Sequence, residues 1–185
     1  MKYETDNPVA LKSQQWLLDA LMKLMHEKPF HKITITEIAQ RADVDRSTFY
    51  RHYDTKESLL HQYIHQLAEE FIGRLQEMDQ LSMDKISHVF IHLCMDELDF
   101  FVTLRNNGLS NVVLESFNEQ LPYVHKVVTN KLAYLVEDEY LIYALAFNAG
   151  GMWNMLMSWI DNGMKEPYTD LIRAFKEISQ FNSYK

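Results

Sequence analysis

The sequence predicts an all-α chain: an N-terminal three-helix head of helix-turn-helix type at residues 1–56, followed by a helical body at 57–185. Three observations point there. Apolar residues recur at three- and four-residue spacing along most of the length, which is the period of a helix with one buried face. No stretch of convincing length alternates apolar and polar residues as a strand would. Five Gly and four Pro among 185 residues leave little material for the many turns of a sheet.

Leu17, Ala20, Leu21 and Leu24 share one helical face and predict a first helix over 9–27, stopped by Pro29. Thr34 and Glu37 have capping-box spacing and predict a short helix ending near Arg41. Ala42-Asp43-Val44 reads as a tight turn. Asp45 stands at the cap of a second short helix, Arg46 to His52, and Asp54 or Thr55 caps a third that starts at Lys56. Ile38, Ala39, Val44, Phe49 and Tyr53 are spaced to face inward and to lock the two short helices across each other. Helical spacing resumes at Leu60, Ile64, Leu67, Phe71, Leu75 and Met78, and again at Ile86, Val89, Phe90 and Leu93; Asn106-Asn107-Gly108 then breaks the chain.

Residues 140–160 hold no charge, which is long enough for a bilayer. Asn148, Asn154 and Ser158 dilute the run, Gly150-Gly151 interrupts it, and basic residues do not flank it, so a helix buried on all sides is expected instead. Leu141, Leu145, Met152, Leu156 and Trp159 form one stripe; Tyr143, Phe147, Gly150 and Asn154 form another. The next helix adds Leu171, Phe175 and Ile178. Leu156, Trp159, Leu171, Phe175 and Ile178 are therefore expected in a four-helix interface with a second copy, and Lys at Leu156 or Phe175 is expected to give monomers or aggregates with folded heads.

Charge is distributed unevenly. The formal net charge is −8, yet residues 1–56 hold nine basic and eight acidic side chains, against nine and eighteen in the remainder. A near-neutral head sits on an acidic body, which predicts weak binding to random nucleic acid. The lone Cys94 excludes an internal disulfide framework, and the first residues lack the apolar stretch of a signal peptide, so a cytoplasmic protein without a membrane anchor is expected.

With Phe49 and Tyr53 inward, the helical period leaves Arg46, Ser47, Tyr50 and Arg51 on the outer face of the second short helix. Arg donates two hydrogen bonds to guanine edges, and hydroxyls reach phosphates or bases, so this face suits a DNA major groove. Lys56, at a helix start, adds a phosphate clamp. Two His pairs at i, i+4 spacing, His61/His65 and His88/His92, are the candidates for metal binding, with Cys94 and Asp96 near the second. No metal, no cofactor and no enzymatic site is expected, since there is no phosphate-cradling loop and no nucleophile placed beside a base.

Thr34, Ile38-Ala39, Ala42, Val44, Thr48-Phe49-Tyr50, His52-Tyr53, Lys56 and Leu59 resemble, in register, the N-terminal domain of the tetracycline-repressor family. The resemblance implies that Thr36, Arg46, Ser47 and Tyr50 approach bases, while Thr34, Thr48, His52 and Lys56 hold phosphates. Asp43 stands where the family usually has a turn Gly, and Asp45 where Ser is common; Asp tolerates both roles. The segment GGMWNMLMSWIDNGMKEP is similar to the branch that includes regulators of dihydroxyacetone kinase operons.

The family likeness further implies an effector site in the body, with double-stranded operator DNA and a second copy of the chain as partners. Phe100, Phe101, Leu104, Phe117, Tyr143, Phe147, Trp153 and Met157 are its expected lining, and a small apolar or amphipathic molecule its expected occupant. A ligand-responsive repressor on a near-palindromic operator is the expected function. Two alternatives stay open: an activator controlled by a partner protein, and a DNA-binding structural or cell-division factor without effector.

Overall fold

The computed structural model of the chain describes residues 7–129, 131 and 138–181. Among them are nine α-helices and one 3₁₀ turn, and no strand. The head holds α1 (Pro8–Glu27), the 3₁₀ turn (Phe30–Lys32), α2 (Ile35–Arg41) and α3 (Arg46–His52). Asn7 caps α1 by accepting from the Val9 amide, and Pro8 opens the helix where its missing N–H costs nothing. α1 ends at Glu27, two residues before Pro29, as the sequence predicts.

α4 (Lys56–Gln76) runs from head to body. Thr55 caps it in a reciprocal pair with Ser58, and its first turns bury Leu59, Leu60 and Ile64 among the head residues Leu17, Leu21, Ile38 and Phe49. The body continues with α5 (Met83–Asp96), α6 (Leu98–Asn106), α7 (Ser110–Val128), α8 (Asp138–Asp161) and α9 (Tyr168–Phe181). α7 packs on α4 and α8, α9 lies against α5, and α6 sits between α1 and the body core. Gly108, with φ of +72°, turns the chain between α6 and α7; Gly163, with φ of +76°, closes α8.

The packing corrects the interface expected from the sequence. Leu156 is 0% exposed and Phe175 4% exposed within a single chain, and the Trp159 ring is also buried, its indole N–H donating to the Glu166 carbonyl at 2.8 Å. These side chains fill the chain's own core. Leu171 is half-buried, and Ile178 is exposed. The open face of α8 is instead the other predicted stripe: Tyr143 is 71% and Phe147 70% exposed, with Tyr140 beside them. No helix among the described residues is long and apolar enough to cross a membrane.

Candidate nucleic-acid interface

The reading face is built from two short helices that could not stand alone. α2 is held by its first turn: the Thr34 hydroxyl oxygen accepts from the Glu37 amide at 3.3 Å, and Glu37 Oε2 accepts from the Thr34 amide at 2.9 Å. The Lys28 ammonium also bonds Glu37. Lys28 first, then the Thr34 amide and hydroxyl, hold the Glu37 carboxyl down at about 2. Ala42-Asp43-Val44 makes the turn with Asp43 at φ +55°, the left-handed geometry expected of the residue that replaces a Gly. Asp45 occupies the cap of α3 but makes no side-chain capping bond, so α3 depends on packing. Phe49 supplies it: fully buried, with Tyr53 and Tyr50 ring centroids 5.6 and 5.8 Å away.

With that ring anchored, Arg46, Ser47, Tyr50 and Arg51 are all exposed on the outer face of α3, and Thr36 is exposed on α2. Arg46 Nη2 donates to the Tyr50 hydroxyl at 2.8 Å, and its guanidinium lies 5.2 Å from that ring centroid. The pair is thus stacked and bonded before any partner arrives, which reduces the side-chain entropy lost on contact. Thr48 is half-buried at the edge of the same surface.

Two residues expected at phosphates have other partners. His52 is turned inward, and its Nε2 lies 2.8 Å from Ser13 Oγ on α1. Ser13 Oγ also lies 2.9 Å from the Ala10 carbonyl, so this contact ties the buried imidazole to α1. Lys56 Nζ donates to the Phe30 and Ile33 carbonyls at 2.7 Å each, leaving one N–H for a phosphate. Thr34, in its capping box, stays at the exposed edge of α2.

Burial, and then the Arg51 charge, push the His52 imidazole below its ordinary value of 6.5. Above 6.5 the ring is neutral in both folded and unfolded chains, and the α1–α3 contact contributes fully. Below 6.5 the unfolded chain takes up the proton first, so stability falls until the folded-state value is passed. Urea midpoints should therefore drop on going from pH 7.5 to 5.5, and His52→Gln should flatten that slope.

The body contains a cavity of about 50 Å³ between α4, α5, α7 and α8. Its wall includes Phe71, Ile86, Phe90, Phe117, Val124 and Met152, and its polar side chains are Gln120 and Asn148. Of the eight expected pocket residues only Phe117 lines it. Phe100, Phe101, Leu104, Trp153 and Met157 are core, and Tyr143 and Phe147 face outward. Sequence reading missed this wall because side chains from four helices distant in sequence form it, and no local pattern marks such a convergence. Composition alone hinted at it, through the surplus of Met and Phe.

The His pairs do not gather a ligand set. His88 and His92 stack with centroids 4.2 Å apart, and His92 meets the Tyr168 ring edge-on at 5.7 Å. Cys94 is fully buried, its thiol pushed well up by burial, and Asp96 pairs with Arg74 at 2.9 Å. Among the described residues no three His, Cys, Asp or Glu come together as metal ligands would.

Residues 17–63 match the model of bacterial regulatory proteins of the tetR family. The chain is 24% identical over 183 residues to an uncharacterized HTH-type transcriptional regulator, YxbF, of Bacillus subtilis (strain 168), covering 95% of this chain and 46% of that protein. It therefore spans about half the length of that curated relative. Among solved structures, the dihydroxyacetone kinase operon activator DhaS shares the fold at TM-score 0.63 and 18% identity, covering 91% of this chain and 97% of that one. A fatty acid degradation regulator, FadR, from Bacillus halodurans does so at 0.64 and 14%, covering 95% and 96%. The regulator FadR from Bacillus subtilis, solved in complex with stearoyl-CoA, does so at 0.61 and 15%, covering 89% and 96%. The matched residues are those that form α2, its turn and α3 and hold them on α1 and α4, so the helix-turn-helix segment of this chain is the part that is similar to the tetR family of bacterial regulatory proteins.

Proposed function

We propose that this chain is a cytoplasmic, ligand-responsive transcriptional repressor, binding a near-palindromic operator as a homodimer, with a DNA-reading head at 1–56 and an effector-binding, dimerising body at 57–185. The observation that carries the reading is the outer face of α3, where Arg46, Ser47, Tyr50 and Arg51 stand exposed above the buried Phe49. Arg46 is assigned to a guanine edge and Tyr50, bonded to it, to the adjacent base or phosphate. Thr34, Thr36, Ser47, Thr48, Arg51 and the remaining N–H of Lys56 are assigned to the backbone and flanking bases. His52 supports them from behind.

The cavity supports effector control. None of its lining residues is charged, so the buried portion of an effector is uncharged and any acid or phosphate group stays outside. Gln120 and Asn148 offer one or two hydrogen bonds; Asn148 already donates to the Ala144 carbonyl at 2.7 Å, which leaves its oxygen as acceptor. The B. subtilis neighbour FadR was solved in complex with stearoyl-CoA. At about 50 Å³ the cavity holds only a fragment of such a ligand. A larger one must part the helices, α4 among them, and α4 carries the head. The effect on DNA is bounded by the ligand's differential affinity for the two arrangements.

Arg46→Ala is expected to weaken binding to a selected duplex by roughly 1–3 kcal/mol and to relax preference at one base pair per half-site. Equal losses on selected and random duplexes would reassign Arg46 to phosphate. The test of the whole reading is selection of duplexes from a random pool, followed by mass spectrometry of apolar molecules extracted from the purified protein. A palindromic site whose neighbouring genes rise on deletion, and a bound ligand that releases the duplex, are the expected results. Falling transcripts would make the protein an activator, and enrichment of no sequence would overturn the reading.

A further inference from the structure

The end of α1 and the 3₁₀ turn after it lead directly into α2, and side chains distant in sequence hold them from two sides. Asn107, at the end of α6, accepts from the Phe30 amide at 2.8 Å and donates through Nδ2 to the carbonyls of Met25 at 3.2 Å and Thr103 at 2.9 Å. From the other side, Lys56 at the start of α4 takes the Phe30 carbonyl and lies 4.6 Å from the centre of its ring. Both backbone polar groups of one head residue, Phe30, are thus bound by side chains from two other helices.

Asn107 also ends a stripe. Asp99, Thr103 and Asn107 are spaced by four, so they share one face of α6. Asp99 meets His26 Nε2 at 3.2 Å, and Thr103 approaches the same nitrogen at 3.4 Å. The opposite face, Phe100, Phe101 and Leu104, is buried in the body, where Phe101 lies 5.8 Å from Trp153. Arg105 grips Asp161 at the end of α8 in a two-pronged ion pair. α6 therefore meets the body through apolar packing and, near its end, the Arg105–Asp161 ion pair, while it meets the head through hydrogen bonds at Asn107 and His26. Packed apolar faces slide by small steps, whereas hydrogen bonds exist in only one register.

We propose that Asn107 is a positioning residue that fixes the angle of the DNA-reading head to the position of α6, so that a body movement displacing α6 reaches α2 and α3 through Phe30. The proposal rests on the DNA-binding reading for its affinity measurement only; the head–body geometry is measured separately. Spin labels at Gln40→Cys in the head and Glu119→Cys in the body, both exposed, report that geometry, with labelled protomers diluted into unlabelled ones. Buried Cys94 stays out of the labelling.

Asn107→Ala should retain cooperative unfolding, widen the distance distribution, and bind a duplex selected by the wild type about tenfold more weakly, with random-duplex affinity unchanged. Asn107→Asp, of the same size but without a donor for the Met25 and Thr103 carbonyls, should widen the distribution too. Unchanged widths in both variants would overturn the proposal, and so would widened distributions with full selected-duplex affinity, or equal losses on random DNA. Collapse of Asn107→Ala without widening in Asn107→Asp would reduce Asn107 to a stability residue and overturn it as well. If selection yields no duplex, the DNA-binding reading fails while the distance distributions still decide whether Asn107 sets the head angle.

Discussion

Leu156→Lys is expected to unfold the body, not to separate two folded copies. Leu156 is completely buried, within a cluster that includes Trp153, Phe101 and Phe175. Lysine there loses the packing of the leucine and brings an ammonium into a site without a charged partner. The expected cost exceeds about 4 kcal/mol, at the level where a domain of ordinary stability no longer holds. Fluorescence of Trp153 and Trp159 in urea checks it. A cooperative transition near that of the wild type would show that the helix packs otherwise.

Lysine on the open face of α8 should do what the sequence assigned to the buried one. Tyr143 and Phe147, one turn apart and each about 70% exposed, continue the apolar line of Tyr140, while Ile178 on α9 is half exposed. Large apolar side chains grouped on one face of a chain mark a protein interface, and the proposed homodimer assigns this one to a second copy. Tyr143→Lys with Phe147→Lys removes that surface without touching the core, so the unfolding midpoint of the separated chain should be close to that expected for wild-type protomers. Sedimentation should show monomers at micromolar concentration. Binding to a two-half-site duplex should fall by about 10² to 10⁴, because the second head no longer arrives at high effective concentration across ~34 Å, one DNA turn. A doubly substituted protein that still sediments as a dimer would place the interface elsewhere.

The helix starts, the turn and the inward and outward faces of the head were legible in the sequence because their determinants are local. Thr34 and Glu37 announce a helix start by spacing alone, Asp43 accepts a left-handed turn by its own chemistry, and a buried Phe49 dictates by helical period that Arg46, Ser47, Tyr50 and Arg51 face outward. Pro29 and Gly108 likewise act within a few residues of themselves.

What the tertiary structure decided is which of two eligible faces meets which neighbour. α8 carries apolar residues all round, so its sequence allows either stripe to be core; only the positions of α7 and α9 bury Leu156 and leave Tyr143 and Phe147 outside. The cavity escapes sequence reading for the same reason, as Phe71, Phe90, Phe117 and Met152 are brought together from four helices. The partners of polar side chains were beyond it too. Nothing near Lys56, His52 or Asn107 in the chain reveals that their hydrogen bonds go to Phe30, Ser13 and Met25, which are 26 to 82 residues away. Caps and turns act over a few residues and are fixed by residue type, whereas burial and long-range hydrogen bonds depend on where other helices lie, and that is settled only when the whole chain has packed.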